Sequence, residues 1–260
     1  MFIRIDHRDF HVDVRGPVDA PVVLLLHALG ANMAIWEDTT AALARRLRVI
    51  RFDFPGHGLS GAAVDGFTME SLARDAFAVL DAQDVAPVHL AGVSIGGMVA
   101  QAMAAQRPDA LRSLTLCCTL PVFPDPVHEM WRTRSALVRA EGMAPVVDDV
   151  VSRWVTASAE SSALVTRLRA MVRATDPLAY AAGGEAIAGC DLSAATAAIA
   201  VPTLVLAGDS DTATPPERVE AMARAIPGLR EFVLLRDAAH IPMAQHPVAV
   251  IEAMERTWFS

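Results

Sequence analysis

The chain has 260 residues, with 22 arginines, no lysine and 30 acidic residues, for a formal net charge of −8. That balance excludes nucleic acid and anionic membrane surfaces as natural partners, and a 53% hydrophobic composition supplies one large core rather than a disordered chain. Met1 to Phe10 alternates apolar and charged residues without an apolar signal core, and no later apolar run reaches membrane length, so a soluble, cytoplasmic protein is expected. Cys117, Cys118 and Cys190 show neither a metal spacing nor a disulfide framework. They read as small buried hydrophobes, and no metal or other cofactor is expected.

In chain order, Ile3 to Ile5 and His11 to Val14 read as an opening antiparallel hairpin. Val22 to Leu26 is a continuous β-branched and leucine run, as a strand covered on both faces requires. Trp36 to Leu47 reads as a helix, Val49 to Phe52 as a strand, and Met69 to Gln83 as the next helix. Val88 to Ala91 is a strand that turns directly into the alanine-rich helical run ending at Gln106. Leu114 to Cys118, Thr203 to Ala207 and Phe232 to Leu235 complete a mostly parallel, eight-stranded α/β sheet with helices on both faces. The rhythm breaks over 121–195, which opens with Pro121, Pro124 and Pro126 and continues as helices without a strand. Residues 1–120 and 196–260 are therefore expected to form the core, with 121–195 a helical cap over the C-terminal edge of the strands.

The strand-to-helix turn falls on Gly92-Val93-Ser94-Ile95-Gly96. Near side-chain-free positions around a serine let neighbouring backbone pass and leave its hydroxyl exposed, which makes Ser94 the expected nucleophile. A serine hydroxyl needs a base, and the base needs an orienting carboxylate. His240 sits in an irregular loop after the last strand and is the expected base; of the other histidines, His57 is expected to brace the Pro55–Gly58 loop. Asp211 and Asp209 both follow the Thr203 strand. Asp209 directly follows Gly208 and is expected to bond its own turn, which leaves Asp211 as the acid. Backbone N–H groups of Ile95, after the nucleophile, and Leu29, in the His27-Ala28-Leu29-Gly30 turn, are expected to form the oxyanion hole.

Together, His27-Ala-Leu-Gly30, Asp53-Phe-Pro-Gly-His-Gly-Leu-Ser60, Gly92-Val-Ser-Ile-Gly-Gly97, Gly208-Asp-Ser-Asp211 and Ala238-Ala-His240 resemble the α/β-hydrolase superfamily over nearly the whole chain. Within the cap, Met130-Trp131-Arg132-Thr133-Arg134, Val138 to Met143, Ser152-Arg-Trp154, Tyr180 to Ile187 and Asp191-Leu192 resemble the lid of 3-oxoadipate enol-lactonases. That resemblance implies ring opening of a five-membered enol lactone carrying a free carboxymethyl group. Ala28 stands where a serine is common, and Gly183-Gly184 where a cysteine pair is expected. A small, anionic ester or lactone is the expected substrate, with Trp131, Arg134 and Trp154 as its contacts among a lid that also carries Arg132, Arg139 and Arg153. Alternatives are a short-chain carboxylesterase or perhydrolase-like enzyme, and a ligand-binding protein that uses the same pocket without catalysis. Oligomeric state is left open, a homo-oligomer included.

Overall fold

The computed structural model describes residues 1–62, 66–159 and 163–259. Eight strands form one sheet: β1 (Phe2–Ile5), β2 (Arg8–Arg15), β3 (Val22–Leu26), β4 (Arg48–Phe52), β5 (Val88–Val93), β6 (Leu111–Cys117), β7 (Thr203–Gly208) and β8 (Leu229–Leu235). Their order is β1-β2-β4-β3-β5-β6-β7-β8. β2 runs antiparallel to β1 and β4, and every later pairing is parallel. Every residue of β3, β5 and β7 is buried, which is why β3 and most of β7 read as continuous apolar runs rather than alternating ones, while β5 breaks its run only at His89, bonded to Ser113 Oγ.

Helices α1 (Glu37–Leu43), α2 (Met69–Asp81) and α3 (Ile95–Gln106) connect the first strands. Between β6 and β7 come α4 (Asp125–Glu141), α5 (Val147–Trp154), α6 (Ala163–Ala174), α7 (Pro177–Ala188) and α8 (Ser193–Ala197). Helices α9 (Pro216–Arg224), α10 (Pro242–Gln245) and α11 (Pro247–Trp258) close the chain. α2 packs with α3 and α1 with α11 around the sheet, while α4 lies along α7 in the inserted segment. Thr196 on α8 donates from Oγ1 to Gln101 Oε1 on α3, which ties the end of the insertion to the core.

Some boundaries differ from the hydropathy reading, for local reasons. The stretch expected as one helix from Trp36 starts instead as a 3₁₀ turn, Met33–Trp36, capped by Asn32, whose side chain accepts the Ala34 N–H. Trp36 closes that turn as the N-cap of α1, and its buried indole N–H donates to Leu26 O at 3.1 Å. β2, β6 and β8 begin at Arg8, Leu111 and Leu229, ahead of their apolar segments, since ladder pairing needs backbone groups and not apolar side chains. Among the described residues no helix is long and apolar enough to cross a membrane.

Candidate active site

Ser94 is both the residue after β5 and the N-cap of α3, with φ 56° and ψ −123°. A non-glycine residue held there carries roughly 1–3 kcal/mol of strain, so the surroundings must hold it. They do so on both sides: Ser94 N–H donates to Cys117 O at 3.1 Å, and Thr119 Oγ1 donates to Ser94 O at 2.8 Å. The flanking glycines are steric necessities. A Cβ on Gly96 would lie 2.7 Å from the carbonyl oxygens of both Leu26 and His27.

Asp211 lies in the loop after β7, and His240 in the loop after β8. The His240 ring meets Asp211 Oδ2 through Nδ1 at 2.8 Å. The same carboxylate accepts from Thr214 Oγ1 at 2.6 Å and from the Ala213 and Thr214 N–H groups at 2.8 and 3.0 Å. Burial alone would raise the Asp211 pKa, but His240 and Thr214 hold it below the ordinary carboxylate value, so it is an anion that receives the Nδ1 proton. His240 Nε2 is left as an acceptor. Asp209 is exposed instead, and accepts from Ser210 Oγ at 2.9 Å and from Ala238 N–H at 3.4 Å.

The turn after β3 is set by two buried histidines that reach across to the loop after β4. His27 Nδ1 donates to Ala28 O at 2.8 Å while its Nε2 accepts the Phe54 N–H at 2.8 Å. His57 answers in the opposite sense, with Nδ1 donating to Pro55 O at 3.0 Å and Nε2 accepting the Gly30 N–H at 3.1 Å. Gly30 N–H is thereby consumed, and Leu29 stands beside it on the cavity wall. Asp53 completes the brace by accepting from Met33 and Leu59 N–H groups and meeting His11 Nδ1 at 2.8 Å.

Both rings must be neutral, because protonation would set a second N–H against a backbone N–H. Burial accordingly pushes the pKa of His27 down and that of His57 to about 3. His89, stacked on Trp258 and bonded to Ser113 Oγ, is lowered to about 4 by burial and Arg112. Below the ordinary histidine value of ~6.5 the unfolded chain takes up these protons and the folded chain does not, so stability should be full above that pH and decline beneath it. The expected slope is about 1.4 kcal/mol per pH unit for each of His57 and His89, continuing towards their folded-state values, with His27 adding in the same direction. Urea unfolding at pH 7, 6 and 5 measures it, and a constant unfolding free energy would contradict the neutral assignment.

Ser94, Ile95, Leu29 and His240 line one cavity of about 120 Å³, roofed by the inserted helices. α4 presents Val127, Met130, Trp131 and Arg134 as a stripe at helical spacing, and α5 adds Val150, Arg153 and Trp154. Trp131, Arg134 and Trp154, the expected contacts, are thus brought together on one wall. Arg132 and Arg139 are not; they form exposed ion pairs with Glu129 and Glu185. The close approach of α7 explains its glycines, since a Cβ on Gly183 would fall 2.3 Å from Leu29 Cδ1. Thr175 Oγ1 also donates to Gly30 O and Asp176 N–H to Gly56 O, so the roof rests directly on the two braced loops.

Sequence reasoning did not single out Thr119, Thr214 or the cavity role of Tyr180. Threonines carry no motif of their own, and Tyr180 lies in an alanine-rich helix whose facing side is set only by packing against α4.

A strained serine at a strand-to-helix turn, with an Asp–His pair on the ends of later parallel strands, defines an α/β hydrolase. The family model described as alpha/beta hydrolase fold matches residues 21–247, and the chain belongs to that family. "3-oxoadipate enol-lactonase 1" of Acinetobacter baylyi is 27% identical over 243 residues, 93% of this chain and 90% of that one. "Pimeloyl-[acyl-carrier protein] methyl ester esterase" of Methylococcus capsulatus is 32% identical over 234 residues, 87% of this chain and 90% of that one. The enol-lactonase crystal structure from Burkholderia xenovorans LB400 superposes with a TM-score of 0.95 at 31% identity, covering 100% of both chains.

Proposed function

We propose that this protein is a serine hydrolase that opens a small lactone or ester, with 3-oxoadipate enol-lactone as substrate and aromatic catabolism as its setting. The observation that carries the reading is the His240 ring, fixed by the ionised Asp211 on the wall of the cavity that Ser94 lines. In this mechanism His240 Nε2 takes the Ser94 proton as Oγ attacks the lactone carbonyl. The Ile95 N–H, which as the first of a helix has no intrahelical acceptor, and the Leu29 N–H receive the oxyanion. Collapse expels an enolate, a better leaving group than an alkoxide, which takes the proton from His240 and ketonises. Water, deprotonated by the same nitrogen, then attacks the acyl-enzyme and releases the acid with Ser94 restored.

Size agrees with this substrate. The cavity of about 120 Å³ is well above the roughly 10–15 Å³ that a single water needs, which leaves room for a small organic molecule such as a five-membered lactone with a carboxymethyl arm. The similarity to two proteins named enol-lactonases supports the same choice. A neutral short-chain ester is the second reading, favoured by the largely apolar lining and by the methyl ester esterase relative.

Turnover of 3-oxoadipate enol-lactone, simple lactones and short p-nitrophenyl esters, compared side by side, decides between them. Under the enol-lactone reading, Arg134→Met removes a charge-assisted contact worth roughly 1.5–3 kcal/mol. The ratio of kcat/KM for the anionic lactone to that for a neutral ester should fall about ten- to a hundredfold. An unchanged ratio would leave Arg134 a packing residue.

A further inference from the structure

The roof of the cavity holds a charge cluster. Arg134 on α4 and Arg153 on α5 both line the cavity, and each gives one Nη2 to a different oxygen of Asp149, the second at 3.2 Å. Asp149 itself sits outside the lining and is half exposed. Two guanidinium groups therefore share one carboxylate, which leaves one positive charge unmatched within the trio. No aspartate or glutamate is among the described residues that line the cavity, so that surplus is not cancelled there. Arg134 is also held independently of Asp149. Its guanidinium lies 5.5 Å from the Trp131 ring centroid and interacts with the buried Tyr180 hydroxyl.

We propose that Arg134 and Arg153 form a carboxylate-binding site for the arm of an anionic ester or lactone, with Asp149 as its built-in competitor. This rests on the serine-hydrolase reading. Hydrolysis adds water across the acyl bond, so a monoanionic lactone becomes a dicarboxylate and releases a proton. A roof with two free guanidinium groups would retain that dianion. With Asp149 occupying part of both forks, the surplus suffices to orient one carboxylate and is weak enough to let the dicarboxylate go. Asp149 is thus the residue that sets selectivity and product release.

The test measures adipate, a six-carbon dicarboxylate, as an inhibitor of p-nitrophenyl acetate hydrolysis. It is accompanied by kcat/KM for a carboxylate-bearing ester and for its methyl-capped neutral counterpart. Asp149→Asn should lower the adipate inhibition constant about three- to tenfold and raise the anionic-to-neutral kcat/KM ratio, since a partly exposed charge is removed beside the bound anion. Arg153→Met should do the reverse. Asp149→Ala, with a melting temperature recorded for each variant, separates a charge effect from a lost fold. Equal or weaker adipate inhibition in both Asp149 variants, when folded, would overturn the competitor role. If the wild type hydrolyses the neutral ester but shows no preference for its anionic partner, the anionic-substrate reading fails instead.

Discussion

Ser94→Ala should abolish turnover, lowering kcat by about 10⁶-fold, while the protein melts within a few degrees of the wild type. The loss is large because no other group near the cavity replaces the attacking oxygen, and residual rate enhancement would come only from binding and the oxyanion donors. Fold is spared because the change deletes one hydroxyl, while the bonds that hold the turn, from Ser94 N–H and to Ser94 O, are made by its backbone. Mass spectrometry after mixing with a slowly deacylating p-nitrophenyl ester provides a second readout. The wild type should gain the acyl mass and the variant should not. Activity within a few fold of the wild type would sink the assignment of Ser94.

Asp211→Asn should cost up to about 10⁴-fold in kcat. The carboxylate accepts from His240 Nδ1 and from three other donors, so its four lone-pair positions are occupied. An asparagine in its place brings a donor where only acceptors fit. Turning the NH₂ towards His240 forces the imidazole to protonate on Nε2, and the base towards Ser94 disappears. Asp209→Asn, by contrast, alters a half-satisfied surface turn, so its effect should appear in stability by about 0.5–1 kcal/mol and leave kcat near the wild-type value. Steady-state kinetics on both variants with one ester substrate settle the pair, and the reverse pattern would move the acid to Asp209.

The central strands were legible because burial on both faces leaves a plain mark: β3 is five consecutive valines and leucines, and β7 is nearly as uniform. The half-exposed β1, β2 and β8 showed only through their alternating or partly apolar segments. The serine turn was legible for a steric reason, since only glycine lets β5, α3 and the carbonyls of Leu26 and His27 approach so closely. Distance along the loop pointed to Asp211, and it is Asp211 rather than Asp209 whose carboxylate meets His240 Nδ1. In the lid, four arginines looked alike, because nothing local distinguishes a guanidinium that turns inward beside Trp131 from one that meets Glu129 in solvent. Asp149 was invisible for the same reason. An acidic residue in the first turn of a helix, four residues before Arg153, has an ordinary explanation in the helix dipole and a local ion pair, and only the fold brings Arg134 of α4 to it as a second partner. His27 read only as the opening of a turn, and its reciprocal arrangement with His57 needed both loops in space.

The fastening of the roof bears on how such enzymes are recombined. Thr175 and Asp176 bond the loops after β3 and β4, while Trp154 O accepts the N–H of Ile241, the neighbour of His240, and Gln245 reaches Thr156 from the core side. The lid and the loops that carry the proposed catalytic residues are therefore one mechanical unit. A chimera that grafts a relative's residues 121–195 onto this core replaces Trp154, Thr156, Thr175 and Asp176 together with the substrate wall, so it should change the rate constant of the chemical step as well as substrate preference. Exchanges confined to the inward stripe of α4, at Val127, Met130 and Trp131, leave those fastenings in place and offer the cleaner route to new specificity.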